Sequence, residues 1–197
     1  MRLSKPLKVL NDYMKVSGGW EIARRYFVMN GFDGILTILG IVLGAFLVGI
    51  EKPELIIGPG FGATLAIGVS GFWIAYLTEE AEQAHHQEHL EEILFNDLRG
   101  SMLSRAGRVA AFVNSFVDGL SPFLFGMLVL CPFFLAQFTI ISIQIAYYMS
   151  ILLSGILLFV LGMFLGRLSR QNIIMFGLKT TLAGVVIAVI LIITGLE

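Results

Sequence analysis

Residues 26–50 read YFVMNGFDGILTILGIVLGAFLVGI, an apolar run that contains a single charged side chain, Asp33. About 20 apolar residues in a helix cross the roughly 30 Å hydrocarbon core of a bilayer, so this run predicts a transmembrane helix. Four more windows have the same character: 55–77, 109–137, 143–165 and 173–196. All five runs are continuously apolar and lack the alternation of a membrane β-strand. The sequence therefore predicts an all-α integral membrane protein with five transmembrane helices.

The composition of the 197 residues agrees with a membrane protein. Hydrophobic residues make up 57% of the chain and charged residues 14%, and the mean hydropathy is +0.87. Soluble domains average about 25% charged residues, which excludes an ordinary cytosolic enzyme. The 13 basic side chains only balance the 14 acidic ones, which leaves no basic excess for nucleic-acid binding. We therefore expect the lipid bilayer as a partner, no nucleic acid and no enzymatic activity.

The basic residues predict the orientation in the membrane. Twelve of the 13 lie in segments on one side of the predicted spans: Arg2, Lys5, Lys8, Lys15, Arg24, Arg25, Arg99, Arg105, Arg108, Arg167, Arg170 and Lys179. Lys52 alone lies on the other side. Because cytoplasmic segments carry the excess of Lys and Arg, we expect a cytoplasmic N-terminus and a C-terminus outside, in the plasma membrane if the cell is prokaryotic. On this topology the longest connection, 78–108, is cytoplasmic.

Residues 1–25 form a basic element ahead of the five-span domain, 26–197. Four apolar side chains recur at helical spacing among its lysines: Leu3, Leu7, Leu10 and Met14. This pattern predicts an amphipathic helix on the inner membrane surface. Gly18 and Gly19 are expected to end it.

Asp33 is costly to place in a membrane span, so we expect it to have a function in a transport path. Asn30 and Thr37 share its helix face, which continues into Gly40 and Gly44. A Gly-x-x-x-Gly pair lets two helices approach closely, and the pattern recurs at 58–62 and 162–166. The simpler alternative is that Asp33 lies near the cytoplasmic interface and only fixes helix packing.

Asp118 repeats this arrangement in the third span. Asn114 precedes it by one helical turn, and Ser121 and Pro122 follow by one turn. A carboxylate is the ligand for which a hard or borderline divalent cation gives up hydration water. Asp118 is therefore the second candidate for the transport path, with structural packing again as the alternative.

The segment after the second span, residues 78–92, reads TEEAEQAHHQEHLEE and contains all three histidines of the protein. Neither Pro nor Gly occurs between 72 and 99, so we expect the second span to continue into the cytoplasm as one helix, here called the arm. The candidate metal ligands of the arm are Glu79, Glu82, His85, His86, Glu88, His89 and Glu92. Imidazole and carboxylate together suit Fe and Mn, and also Co, Ni or Zn. The alternative is a solvated acidic helix end that binds nothing.

The chain resembles the vacuolar iron transporter family in its order of motifs. The stretch FDGILTILG at 32–40 is similar to the Asn-Asp-Gly opening of that family, and matches it at Asp33, Gly34, Thr37 and Gly40. Further similarity lies at 161–162, 166–169, 177–179 and Gly184. The resemblance implies a homodimer that exchanges cytosolic Fe(II) or a similar divalent metal for protons. It also implies that Asp33 lies in the path and that the extension of the second span collects metal.

The second span lacks the methionine and the glutamate of a motif of that family. The motif Ser-Met-x-x-Gly-Glu-Tyr reads SGFWIAY at 70–76, with Gly71 in place of Met and Ala75 in place of Glu. We expect Asp118 to supply a replacement carboxylate. The cytoplasmic segment is also short and richer in histidine than the Glu-rich helices of the family, which leaves the choice of metal open.

Two functions therefore remain after sequence analysis. The first is a divalent-metal transporter that exports Fe(II) or Mn(II) from the cytosol, coupled to protons. The second is a membrane-anchored protein that binds or senses metal through the arm and transports nothing. The two differ at Asp33, because a mere anchor does not need a carboxylate beside a glycine stripe. Three histidines are too few for a histidine-box membrane oxygenase.

Overall fold

A computed structural model describes residues 5–94 and 101–194 of the chain. Six α-helices and no strand occur in these two ranges. They are α1 (Lys5–Val16), α2 (Gly19–Val48), α3 (Glu54–Leu94), α4 (Met102–Gln137), α5 (Ile143–Leu168) and α6 (Ile173–Ile193). The predicted features at Arg2, Leu3, Arg99 and Leu196 lie outside the described residues.

Helices α2 to α6 are each long and apolar enough to cross a membrane, which confirms the five long apolar helices that the sequence predicts. Helix α3 has 41 residues, a length of about 62 Å at 1.5 Å per residue. Because that is about twice the hydrocarbon thickness, the helix extends well beyond a single span. The prediction that the second span and the arm form one helix is confirmed as far as Leu94.

The glycine break near the N-terminus is also confirmed. Helix α1 ends at Val16, and Gly18 has a φ of +69°, in the left-handed region that glycine adopts without a steric cost. Helix α2 then begins at Gly19. Residues 19–25, which the sequence analysis places with the N-terminal element, therefore form the first turns of the helix that carries the first span.

The chain divides into two compact units. The first unit comprises Met1–Phe27 and Val69–Leu120, and the second comprises Val28–Gly68 and Ser121–Glu197. In the first unit, α1 packs through Met14, which is fully buried beside Ala23 and Ala110. The apolar side of α1 therefore contacts protein. Its position on the inner membrane surface stays a prediction.

The second unit has an apolar core built from four helices, α2 to α5. Its fully buried side chains include Ile35, Ile38, Val42, Ile56, Val129, Leu130, Phe133 and Leu158. Gly34 of α2 lies directly against the backbone of Pro122 in α4, so that a Cβ at this position would contact backbone atoms that have little freedom to move. This close approach fixes the α2–α4 crossing within the unit.

The three Gly-x-x-x-Gly pairs have different surroundings in the second unit. At Gly162 an added Cβ would lie 2.6 Å from the carbonyl oxygen of Phe176, and at Gly166 it would lie 3.0 Å from the Cα of Ile173. This pair therefore packs α5 closely on α6, as the pattern predicts. By contrast, an added Cβ at any glycine of the other two pairs would meet nothing within 4 Å: Gly40, Gly44, Gly58 and Gly62.

Candidate functional site

Asp33 lies on an uncovered side of α2. Its side chain is exposed, as is that of Met29 one turn earlier, and Thr37 is half-buried. The same side continues into Gly40 and Gly44, which face open space. The opposite side of α2 carries the fully buried core residues of the second unit. Exposed Asp33 and the two half-buried glycines thus form one stripe that the described part of the protomer leaves uncovered, here called the α2 stripe.

Asp118 has a different environment, inside the first unit. Its side chain is only 8% exposed. A Cβ added at Gly71 of α3 would lie 2.8 Å from its Oδ2 atom, so the carboxylate occupies space that a side chain at position 71 would need. Position 71 is where the sequence analysis found Gly in place of a methionine. The prediction that Asp118 acts as a replacement carboxylate is compatible with this contact and stays a prediction.

The structure describes all seven predicted ligands of the arm. Among them, Glu79 alone is buried. The residue is 3% exposed, and the hydroxyl of Tyr26 donates a hydrogen bond of 3.1 Å to its Oε1 atom. Gly71, Ala75 and Glu79 follow one another at four-residue spacing, so they share a face of α3. Ala75 on this face is also buried. Ala75 stands where the family motif has Glu. The same face of α3 therefore carries a buried carboxylate, Glu79, one turn beyond that position.

Asn114 completes a polar cluster with Glu79 and Tyr26. Its side chain is fully buried, and within the described residues neither its amide nitrogen nor its amide oxygen has a hydrogen-bond partner. The amide nevertheless lies close enough to the Glu79 carboxylate to favour its charged form, as a hydrogen-bond donor does. Tyr26 also interacts electrostatically with Asp118, which lies one turn further along α4 than Asn114.

Arg25 is the nearest cation to this cluster. Its guanidinium lies over the Tyr26 ring, 5.7 Å from the ring centroid, and its side chain is exposed. It acts on the Glu79 charge at longer range. Glu82, one turn further along the arm, adds a second negative charge. The cluster is therefore dominated by oxygen atoms and negative charge.

The remaining predicted ligands lie on the accessible surface of the arm, where His86 lines a small cleft with Gln83 and Ser104. Six of the predicted ligands are exposed: Glu82, His85, His86, Glu88, His89 and Glu92. The side of the arm that contacts α4 is formed instead by half-buried Gln83, Gln87 and Leu90. Within the described ranges, no three His, Cys, Asp or Glu side chains converge on one point. The structure thus separates buried Glu79 from the other six, and binding of metal by the exposed arm stays a prediction.

The sequence predicted neither the hydrogen bond from Tyr26 nor the burial of Glu79. Tyr26 is 53 residues from Glu79 along the chain, and no local pattern connects the two. One signal for Glu79 was present, because it follows Ala75 by four residues and shares its helix face. Asn114 was noted only as a neighbour of Asp118.

The comparisons with known proteins agree with this architecture. A sequence model described as the VIT family matches residues 79–196, which include Glu79, Asn114 and Asp118. An uncharacterized protein of Methanocaldococcus jannaschii is 28% identical over 193 residues, covering 96% of this chain and 95% of the relative. No solved structure matches the chain. The chain belongs to the VIT family of membrane proteins, which are associated with divalent-metal transport and are transporters, not enzymes.

Proposed function

We propose that the protein is a homodimeric transporter that exports Fe(II) or Mn(II) from the cytosol in exchange for protons. Family membership supports metal-ion transport in general. The identity of the metal, the coupling to protons and the dimer go beyond family membership and are part of the proposal. The observation that carries the proposal is the α2 stripe, where an exposed carboxylate adjoins two open glycines.

The α2 stripe favours a second copy of the chain as its cover. A charged side chain near the centre of a membrane helix costs about 2.5 to 3.5 kcal/mol when it faces lipid. Small residues at 40 and 44 let another helix approach closely, and nothing in the described part of the protomer fills that space. A twofold dimer is self-complementary, so it would bring two Asp33 carboxylates to one seam.

Two carboxylates at a seam are a plausible path for a divalent ion. Carboxylate oxygens replace the hydration water of hard and borderline cations such as Mn(II) and Fe(II). A carboxylate also accepts a proton when the metal leaves, which gives the exchange its chemical basis. We place the N-terminus and the arm in the cytosol, because the basic residues lie on that side. The exposed His and Glu side chains of the arm then collect metal at the inner mouth.

The anchored metal-binding protein is the second candidate. The exposed arm supports it as well as it supports transport, because the arm would bind metal in either case. Such a protein has no need for the α2 stripe. The effect of replacing Asp33 therefore distinguishes the two proposals.

Metal uptake by proteoliposomes tests the proposal directly. We expect wild-type protein to move Mn(II) and Fe(II), and Asp33→Asn to lose at least about 90% of the flux, since the amide keeps the shape but not the charge. The matched control is Asp12→Asn, because Asp12 is an exposed carboxylate on α1 outside the spans. Flux that survives in Asp33→Asn contradicts the proposed path. Stoichiometric metal binding without flux in the wild type favours the anchored protein.

A further inference from the structure

The first unit contains a buried amide whose hydrogen-bonding groups are unused. Asn114 is 0% exposed, and neither polar atom of its side chain is hydrogen-bonded within the described residues. Buried amides nearly always have partners in native proteins, and an orphan points to an ion or water that completes the site. Its neighbour Ser115 is equally buried but donates to the carbonyl oxygen of Ala111 at 2.7 Å. The unused groups are thus particular to Asn114.

The Asn114 amide lies beside a buried carboxylate that has no ion-pair partner. Glu79 is 3% exposed, accepts a hydrogen bond from Tyr26 and lies within reach of the Asn114 amide. Arg25 acts on it only at longer range and forms no ion pair with it in the described ranges. A buried carboxylate requires a compensating charge or a full set of hydrogen bonds. The Glu79 carboxylate has no ion-pair partner and the Asn114 amide oxygen has no donor within the described residues, so a cation bound by both oxygens would supply what each lacks.

We propose that Glu79, Asn114 and Tyr26 form a site for a hard divalent cation inside a single protomer. The three donors are a carboxylate, an amide carbonyl and a phenol hydroxyl. An oxygen-only set of this kind suits Mn(II), whereas soft and nitrogen-preferring metals favour sulfur and imidazole. The site rests on the proposed function only for the choice of Mn(II) as the ion.

Asp118 supplies a second carboxylate one turn along α4. The Tyr26 hydroxyl donates to Glu79 and also interacts electrostatically with Asp118, so both negative charges lie near it. Gly71 provides the room in which the Asp118 carboxylate lies. The ion bound at Glu79 and Asn114 thus has a second carboxylate close by. This arrangement belongs entirely to the first unit and does not depend on a dimer.

The experiment measures Mn(II) binding to full-length protein in lipid nanodiscs by electron paramagnetic resonance. The three arm histidines, His85, His86 and His89, are first replaced together by Ala to remove binding by the exposed arm. We expect a saturable Mn(II) site that depends on Asn114 to remain. Asn114→Leu is expected to weaken it at least tenfold, because an oxygen ligand is lost with little change in volume. The matched control, Ser115→Ala, is expected to bind like the parent.

Thermal unfolding distinguishes loss of Mn(II) binding from loss of the folded structure. Asn114→Leu removes an unsatisfied buried amide, so we expect a higher unfolding temperature without metal, together with loss of the Mn(II)-induced increase. Asn114→Asp adds a negative oxygen to the site and is expected to tighten Mn(II) binding at least tenfold. The site is refuted if no saturable Mn(II) remains in the triple-histidine variant, or if both Asn114 variants bind within twofold of the parent.

The site and the proposed function fail independently. Mn(II) that binds at Asn114 in a protein without any metal flux supports the site and overturns the transporter. Flux that depends on Asp33, with no saturable binding at Asn114, overturns the site and leaves the transporter intact.

Discussion

Replacement of Gly40 by Leu tests whether the α2 stripe is the surface that a second protomer covers. Nothing lies within 4 Å of a Cβ at this position in the protomer, so the Cβ of the new side chain meets no neighbour and the helix gains about 0.5 to 1 kcal/mol from loss of a glycine. In a closely packed seam the same side chain overpacks the interface at a cost of about 1 to 3 kcal/mol. A twofold interface contains each residue twice, which doubles that cost to about 2 to 6 kcal/mol.

The predicted outcome is a stable protomer with a weakened dimer. A loss of 2 kcal/mol is about a 30-fold rise in the dimer dissociation constant. Single-molecule photobleaching in liposomes over a range of protein densities measures this constant. The matched control is Gly155→Leu on α5, which is equally open in the protomer but lies off the α2 stripe. Equal dissociation constants for Gly40→Leu and the wild type refute the argument, as does a wild type that is monomeric at every density.

Four other predictions follow from particular contacts. Gly34→Ala places a Cβ 2.6 Å from the Cα of Pro122; because backbone must move, we expect a loss of about 3 kcal/mol of unfolding free energy, and an unchanged midpoint in denaturant contradicts this. Tyr26→Phe removes a hydrogen bond to a buried carboxylate and is expected to cost about 1.5 to 3 kcal/mol in the same assay; a cost below about 0.5 kcal/mol is incompatible with a hydrogen bond to a charged group. Asp118→Asn is expected to reduce Mn(II) flux about as much as Asp33→Asn, and unaltered flux removes Asp118 from the path. Metal binding by the arm is expected to weaken when His85, His86 and His89 are replaced together by Ala, since imidazole is a ligand for these metals; isothermal titration that gives equal affinities for this variant and the wild type excludes the histidines as ligands.

The helices could be predicted from the sequence because each is encoded locally. Five apolar windows of sufficient length and the absence of Pro and Gly between 72 and 99 predict the helices, including the continuation of α3 through the arm. The break at Gly18 was equally visible, since a glycine pair ends a helical pattern. The predicted starts of the spans were less accurate than the helices themselves. Residues before the apolar windows at 26 and 109 extend α2 and α4 toward their N-termini, and these residues do not add to the hydropathy of the windows.

The environment of each motif could not be predicted in the same way. The pairs Gly40–Gly44 and Gly162–Gly166 have the same spacing, yet the second is packed against α6 and the first faces open space. Which helix faces which surface is decided by packing between segments far apart in the chain. The arm gives a second example, because its sequence predicted seven metal ligands as one group. Packing against α4 buries Glu79 and leaves the three histidines exposed.

The most direct test of the account is to record metal and proton movement together in proteoliposomes that contain the wild type or Asp33→Asn. An internal pH dye and a Mn(II)-quenched dye report both ions in the same vesicles. The account predicts that Mn(II) flux is accompanied by proton movement in the opposite direction, and that Asp33→Asn abolishes both. Mn(II) flux that leaves the internal pH unchanged, or that continues in Asp33→Asn, contradicts it.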